Sequence, residues 1–544
     1  MRRRAAGLSD RLRTIFTFER TFLLLIALTV FLRFYRLDLK LFHHDEAIHA
    51  WFAYRLLHEG IWSYDPSYHG PLLYYVTAGM FSLLGDGDVV GRIIPSLLGT
   101  LIVVLVYPLY RMRYLDGKQA LIAALFLALS PNLVYFSRFL RHDIFMLFFI
   151  MLLLVTILAY IETGSRWYGL GVAVAVAGGM TLKEEFPVIL LIFGVYFIYA
   201  GWKGRFRFPR RWKQDLALFT AVALGIIAVF YSSLGQHPEI LLTAATRAIE
   251  HWTEMHEQCR LCGPPYFYTI LFILYELPIL LLAIAGTAQF LWAHTDIPGG
   301  IDRIRRRIRR EEPTTESLLS RLGVGTRAPA PSGPHDKQEE FFGFCIWWMV
   351  LSMAFYALVN EKVPWLIIPQ LLPAVFVAVY RMTDRKAVIS VLAVVFLVLL
   401  TWHTSFVPAD VNEPIVQVQN SEDLRGLFTL IDGSDKVAVA SKNYWPLPWY
   451  YRGVMAKKLS YYGNRVGERA IYDNDYDLVI AYDADSYTSL DGYAKKTIKL
   501  DYWFSLYDNE DRLLEWYFLR DGKMGSMNLD LFTRVRPNLS ATRQ

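Results

Sequence analysis

Up to about residue 404 the chain alternates long apolar runs with short charged segments. Eleven runs approach the roughly 20 residues that a membrane-crossing helix needs: 20–36, 91–110, 118–137, 143–161, 166–182, 186–201, 214–233, 267–293, 341–359, 363–380 and 386–404. A twelfth, 71–85, is too short and reads as an interfacial or re-entrant segment. In the loop after the first run, Ile48, Trp51, Phe52 and Leu56 recur at helical spacing. That stripe predicts a helix lying in the interface plane with Asp45 held at the membrane surface. Beyond residue 404 charge rises and turns appear. There 424–431 reads as a helix, and 437–441 and 478–483 as short buried strands. The expected fold is an all-α polytopic membrane domain over 1–404, with interfacial helices in its first outer loop, followed by a small α/β domain over 405–544.

Composition agrees. Of 544 residues, 54% are apolar and 19% charged, with a mean hydropathy of +0.28, whereas soluble domains are about a quarter charged. The basic residues cluster at alternate loops: Arg111, Arg113 and Lys118; Lys203 to Lys213; Arg303 to Arg310; Arg381, Arg385 and Lys386. With eleven spans, the positive-inside rule sets these loops and the N-terminus in the cytoplasm and residues 405–544 outside. The apolar run after the basic N-terminus has no small-residue cleavage site behind it, so it reads as an uncleaved anchor. The basic residues form no single face, so nucleic acid is not an expected partner.

The loops assigned to the outer side collect ionisable residues, which are costly near a bilayer and tend to mark function. The first loop holds His43-His44-Asp45-Glu46 with His49, and then His69. The second holds Arg138, Arg141, His142 and Asp143, the third Lys183, Glu184 and Glu185, and the fifth Glu361 and Lys362. A carboxylate can take the proton of an acceptor hydroxyl, and cations can neutralise a departing phosphate. No Walker or Rossmann glycine pattern is present, so the anion expected is a lipid head group at the outer surface. His251, His256, Cys259 and Cys262 have a spacing that can hold zinc; the rival is a surface loop with oxidised or free cysteines. His44, Asp45 and His49 are a second possible metal set. No metal or other cofactor is assigned. Asp45 and Glu46 have a structural alternative as helix N-caps. The aromatic run 443–452, with Trp445 and Trp449, suits either sugar contact or packing.

The order Asp45-Glu46, then His69-Gly-Pro-Leu72, Ser130-Pro-Asn, Arg138 to Asp143, Leu182-Lys183 and Lys362-Val-Pro-Trp-Leu-Ile-Ile-Pro-Gln-Leu-Leu-Pro373 resembles the GT-C glycosyltransferases. More narrowly it resembles protein O-mannosyltransferases and the aminoarabinose transferase of lipid A. His-His-Asp-Glu-Ala-Ile-His and Trp-Pro-Leu-Pro-Trp-Tyr are most similar to a largely archaeal branch associated with flipping in N-glycosylation. Gly70 stands where those families usually carry the first proline. The resemblance implies inverting transfer of a sugar from a polyprenyl (dolichyl) phosphate carrier to a hydroxyl of a glycan, lipid or protein acceptor. Asp45, Glu46 and Asp143 become the catalytic candidates. His69, Arg138, Arg141, Lys183 and Lys362 become contacts for the carrier phosphate, and His49, Glu184, Glu361, Trp445 and Trp449 contacts for acceptor or sugar. The alternative is a non-catalytic flippase for lipid-linked sugars, or an accessory to one.

Overall fold

The computed structural model describes residues 17–60, 62–258, 261–294 and 334–535. The basic cluster 303–310, Cys259, the side chain of His256 and the N-terminal arginines lie outside the described residues. The helices run in chain order as α1 (Phe18–Phe34), α2 (His44–Glu59), α3 (Leu72–Leu84), α4 (Asp88–Val104), α5 (Val106–Arg111), α6 (Gly117–Leu129), α7 (Pro131–Ser137), α8 (His142–Thr163) and α9 (Arg166–Met180). They continue as α10 (Phe186–Trp202), α11 (Trp212–Tyr231), α12 (Ile240–Gln258), α13 (Phe267–Tyr275), α14 (Leu277–His294), α15 (Pro334–Leu358), α16 (Ile368–Ala378) and α17 (Asp384–Phe406).

Among the described residues six helical stretches are long and apolar enough to cross a membrane: 88–111, 142–163, 212–231, 277–294, 337–358 and 384–406. The pair α6 and α7, bent by 57° at Ser130, makes up to seven. The run 267–293 is not one helix. Glu276 interrupts it between α13 and α14, and its Oε1 accepts from the backbone and side-chain amides of Asn132 at 3.2 and 2.9 Å and from the Ser130 hydroxyl. The Ser-Pro-Asn element thus supplies the partners that a buried carboxylate requires. The expected interfacial segment 71–85 forms α3.

The described chain gathers into two compact units, each discontinuous in sequence. The helical unit draws on 1–32, 98–133 and 143–399; the mixed unit draws on 33–97, 134–142 and 400–544. The division expected at 404/405 is one of chain order, whereas this grouping places residues 33–97 with 400–544. In the helical unit, small residues let helices approach closely. A Cβ on Gly169 would lie 1.8 Å from the Phe219 ring, and one on Gly286 would lie 2.3 Å from the Val377 carbonyl.

The mixed unit carries a six-stranded sheet of β1 (Gln419–Asn420), β2 (Val437–Ala440), β3 (Leu459–Tyr461), β4 (Leu478–Tyr482), β5 (Tyr493–Phe504) and β6 (Met524–Arg534), in the order β1-β5-β6-β4-β2-β3. β2 pairs in parallel with β3 and β4, and the other pairings are antiparallel. The two expected strands are β2 and β4, whose buried runs Val437–Ala440 and Leu478–Ala481 pair as neighbouring interior strands of the sheet. The expected helix is α18 (Leu424–Asp432), which buries Leu424, Leu427 and Ile431 against Val437, Val439 and Ile480. The long pair β5–β6 escapes the sequence pattern because Lys495, Lys496 and Lys499 interrupt its apolar alternation.

Candidate active site

The segment between α1 and α3 builds α2 from a capping box. His43, rather than Asp45, is the N-cap of α2. Its Nδ1 accepts from the Asp45 amide at 3.1 Å, and its Nε2 donates to the Gln417 carbonyl. Those two roles fix the neutral Nε2–H tautomer. Burial holds the His43 pKa down, at about 3. Glu46 completes the box by accepting from the His43 amide at 3.0 Å.

Glu46 does more than cap. Its Oε1 accepts from Arg92 Nε at 2.8 Å and from the Leu140 amide at 2.9 Å, and its Oε2 accepts from the second arm of Arg92 at 2.6 Å. Arg92 also donates to the carbonyls of Leu37, Lys40 and Leu41 at 2.8–3.1 Å. Both oxygens are therefore fully engaged and the carboxylate is 1% exposed, which corrects its assignment as a catalytic candidate. Arg92 was legible as an arginine inside an apolar helix, a signal the sequence reading did not use.

Asp45 differs. It lies one residue earlier on the rim of α2, is 28% exposed, and forms an ion pair with Arg141. The apolar stripe expected to seat α2 is only half-buried; the buried face is Glu46, Ala47, His49, Ala50 and Ala53.

Three histidines gather around His142. The His142 ring lies 5.0 Å from His49 and 5.3 Å from His69, edge to face in both cases. Tyr74 donates its only hydroxyl proton to the Tyr68 carbonyl at 2.7 Å. His49 Nδ1, 2.9 Å from that hydroxyl, must then be the donor, which leaves Nε2 as the ring's acceptor. His142 donates from Nε2 to the Gly70 carbonyl at 3.1 Å, while its Nδ1 is buried without a hydrogen-bond partner. His69 sits at φ +63° in the turn leading to α3. Sequence reasoning had no role for His142; its place beside Arg141 in a charged loop was the available signal.

The remaining expected cations are committed to the fold. Arg138 donates to the carbonyls of Arg33, Tyr35 and Arg36 at 2.7–3.2 Å, closing the end of α1, and stacks on Phe406. Lys362 donates to the carbonyls of Tyr356, Ala357 and Val359 at the end of α15. Those contacts use all three of its protons, and burial lowers its pKa. Lys183, 2% exposed, bridges Asp143 at 2.9 Å and Glu185 at 3.3 Å, and Glu185 also takes the Tyr356 hydroxyl at 2.9 Å. Asp143, 1% exposed, is thus a buried ion-pair partner rather than an accessible acid. Glu184 and Glu361 are half-buried; the Glu361 backbone bridges to Cys262.

In the mixed unit, Lys40, Arg92, Arg138 and Glu46 line a cavity of about 30 Å³, room for about one water. Burial and the two guanidinium groups push the Lys40 pKa down to about 7.

Trp449 is fully buried, donating to Asp88 at 2.7 Å and packing on Phe42 and Phe81. It holds residues 443–452 against the first-loop segment and offers no free face to sugar, which corrects that expectation; Trp445 is half-buried. Cys262 is in a disulfide, so it has no thiolate to give a zinc ion, and among the described residues no group of three or more potential ligands is placed to hold a metal.

The apo structure of ArnT from Cupriavidus metallidurans aligns with 93% of this chain and 97% of its own, with a TM-score of 0.57 at 13% identity. The chain has a GT-C fold. Residues 68–232 match the family model for dolichyl-phosphate-mannose-protein mannosyltransferase. That stretch includes His69, Arg141, His142 and Lys183 and begins after Asp45. ArnT bound to undecaprenyl phosphate aligns at TM-score 0.45 and 16% identity over 68% of this chain, which spans 62% of the ArnT chain. The Archaeoglobus fulgidus oligosaccharyltransferase complex with Zn and sulfate aligns at TM-score 0.48 and 13% identity, over 85% of this chain and 68% of its own. No curated protein sequence matches the chain significantly.

Proposed function

We propose that the protein is a multi-pass membrane glycosyltransferase that moves a sugar from a polyprenyl-phosphate carrier to an acceptor hydroxyl with inversion. Asp45 is the base. The observation that carries this reading is the contrast among the candidate acids. Asp45 is half-open and beside a guanidinium, whereas Glu46 and Asp143 are sealed in ion pairs. The fold and the match over residues 68–232 support it.

In the reaction the acceptor oxygen attacks the anomeric carbon from the face opposite the phosphate. The bond from that carbon to the phosphate oxygen breaks, and the carrier leaves as polyprenyl phosphate. The acceptor proton passes to Asp45, acting as general base. Arg141, already beside Asp45, is the cation for the leaving phosphate, with His69 at the edge of the same cluster. Arg138, Lys183 and Lys362 hold the frame instead. No metal takes part in this scheme. The orientation proposed with it puts the N-terminus in the cytoplasm and residues 405–544 outside.

The test uses purified protein, radiolabelled polyprenyl-phosphate sugars and a soluble hydroxyl acceptor mixture. Release of free polyprenyl phosphate by the wild type and its loss in Asp45→Asn are expected. Full turnover by Asp45→Asn would remove the base assignment. Lipid translocation without release of free carrier would favour a flippase.

A further inference from the structure

A second cavity lies in the helical unit, among α8, α9, α10 and α11, with a volume of about 280 Å³. Its walls are apolar, including Leu153, Ile157, Val176, Phe193 and Phe197, so water gains few partners there. Gly194 lines it, and a Cβ built on Gly194 meets no atom within 4 Å, so the glycine opens the groove rather than serving a close helix contact.

One end of the groove is different. Phe208 and Trp212 line it there, and they belong to the segment 203–213, which carries Lys203, Arg205, Arg207, Arg210, Arg211 and Lys213. Arg205 is paired with Glu340 at 3.1 Å. The other five are exposed, and the described residues contain no carboxylate in ion-pair contact with them. Trp167, Trp202 and Trp212, exposed at the same helix ends, form the aromatic fringe that marks a head-group plane. An apolar slot whose lining residues Phe208 and Trp212 lie within a segment of exposed cations is complementary to one kind of molecule.

We propose that this groove binds an anionic glycerophospholipid, with an acyl chain between α8, α9, α10 and α11 and the phosphate head group on residues 203–213. Chain burial supplies affinity, and the cations supply the preference for negative charge. The site is independent of the donor and acceptor chemistry proposed above.

The test titrates detergent-purified, delipidated protein with phosphatidylglycerol or phosphatidylcholine and counts bound lipid by native mass spectrometry. The wild type is expected to retain phosphatidylglycerol at least tenfold more tightly than phosphatidylcholine. Gly194→Leu and Gly194→Phe, which fill the slot, should lose at least tenfold in phosphatidylglycerol affinity, with Gly194→Ala in between. A joint Arg207→Gln, Arg210→Gln, Arg211→Gln variant should bind the two lipids alike. Unchanged binding in Gly194→Leu, equal binding of the two lipids by the wild type, or displacement of phosphatidylglycerol by equimolar undecaprenyl phosphate would each overturn the proposal.

Discussion

Two acid–base pairs share a composition and differ in what they can do. Asp45 and Arg141 meet at the rim of α2 with 28% and 10% of their side chains exposed; Asp143 and Lys183 meet with 1% and 2% exposed. The buried pair is bound to the fold, because separating it would strand a charge away from water. In the proposed reaction the rim pair exchanges partners: a phosphate takes the guanidinium and the carboxylate takes a hydroxyl proton. Under the proposed function, access to water is what separates a pair that can react from one that only holds the fold.

The sharpest way to break that comparison is Asp45→Asn. The rate should fall by roughly 10²–10⁴ while the protein stays folded and binds carrier at least as well, since a negative charge beside an anion is gone. Carrier release measured under saturating donor checks it, and a variant that instead unfolds would make Asp45 as structural as Asp143. Lys183→Met should behave in the opposite manner. Removing one partner of a buried pair costs about 3–5 kcal/mol, so thermal melting in detergent should drop sharply, and Lys183→Met with Asp143→Asn should recover part of the loss.

Lys362→Met should cost roughly 1.5–3 kcal/mol through the carbonyls it abandons at the end of α15, with carrier affinity unchanged. A loss of affinity without loss of stability would return Lys362 to the phosphate. A smaller, graded effect comes from pH. His43 has its folded pKa depressed to about 3 against an ordinary value of about 6.5. The unfolded chain therefore takes up the proton first, and stability should fall by about 1.4 kcal/mol per pH unit as pH drops from 6.5 toward 3. His43→Asn keeps a capping acceptor without titrating, so its melting temperature should depend less on pH over that window. The smallest expected effect is that of a chelator, which should leave carrier release unchanged.

Much of the fold was legible because lipid and hydrogen bonding leave few choices. Apolar runs near 20 residues must be helical where they meet lipid. The runs Val437–Ala440 and Leu478–Tyr482 could hardly be anything but buried strands. The order of the motifs from Asp45-Glu46 through His69–Leu72 to Lys362–Pro373 likewise resembles the GT-C glycosyltransferases. What a single sequence does not carry is partner choice across long separations. That Glu46 meets Arg92 and the Leu140 amide, that Arg138 caps α1, and that Trp449 is sealed against Asp88 depends on segments dozens to hundreds of residues apart. Adjacent residues such as Asp45 and Glu46 are chemically alike, yet one helical step of about 100° turns one toward water and the other into the core. The sequence therefore determined which charges gather in the segments between the apolar runs, and only the tertiary structure decided which of them the fold consumes and which it leaves exposed.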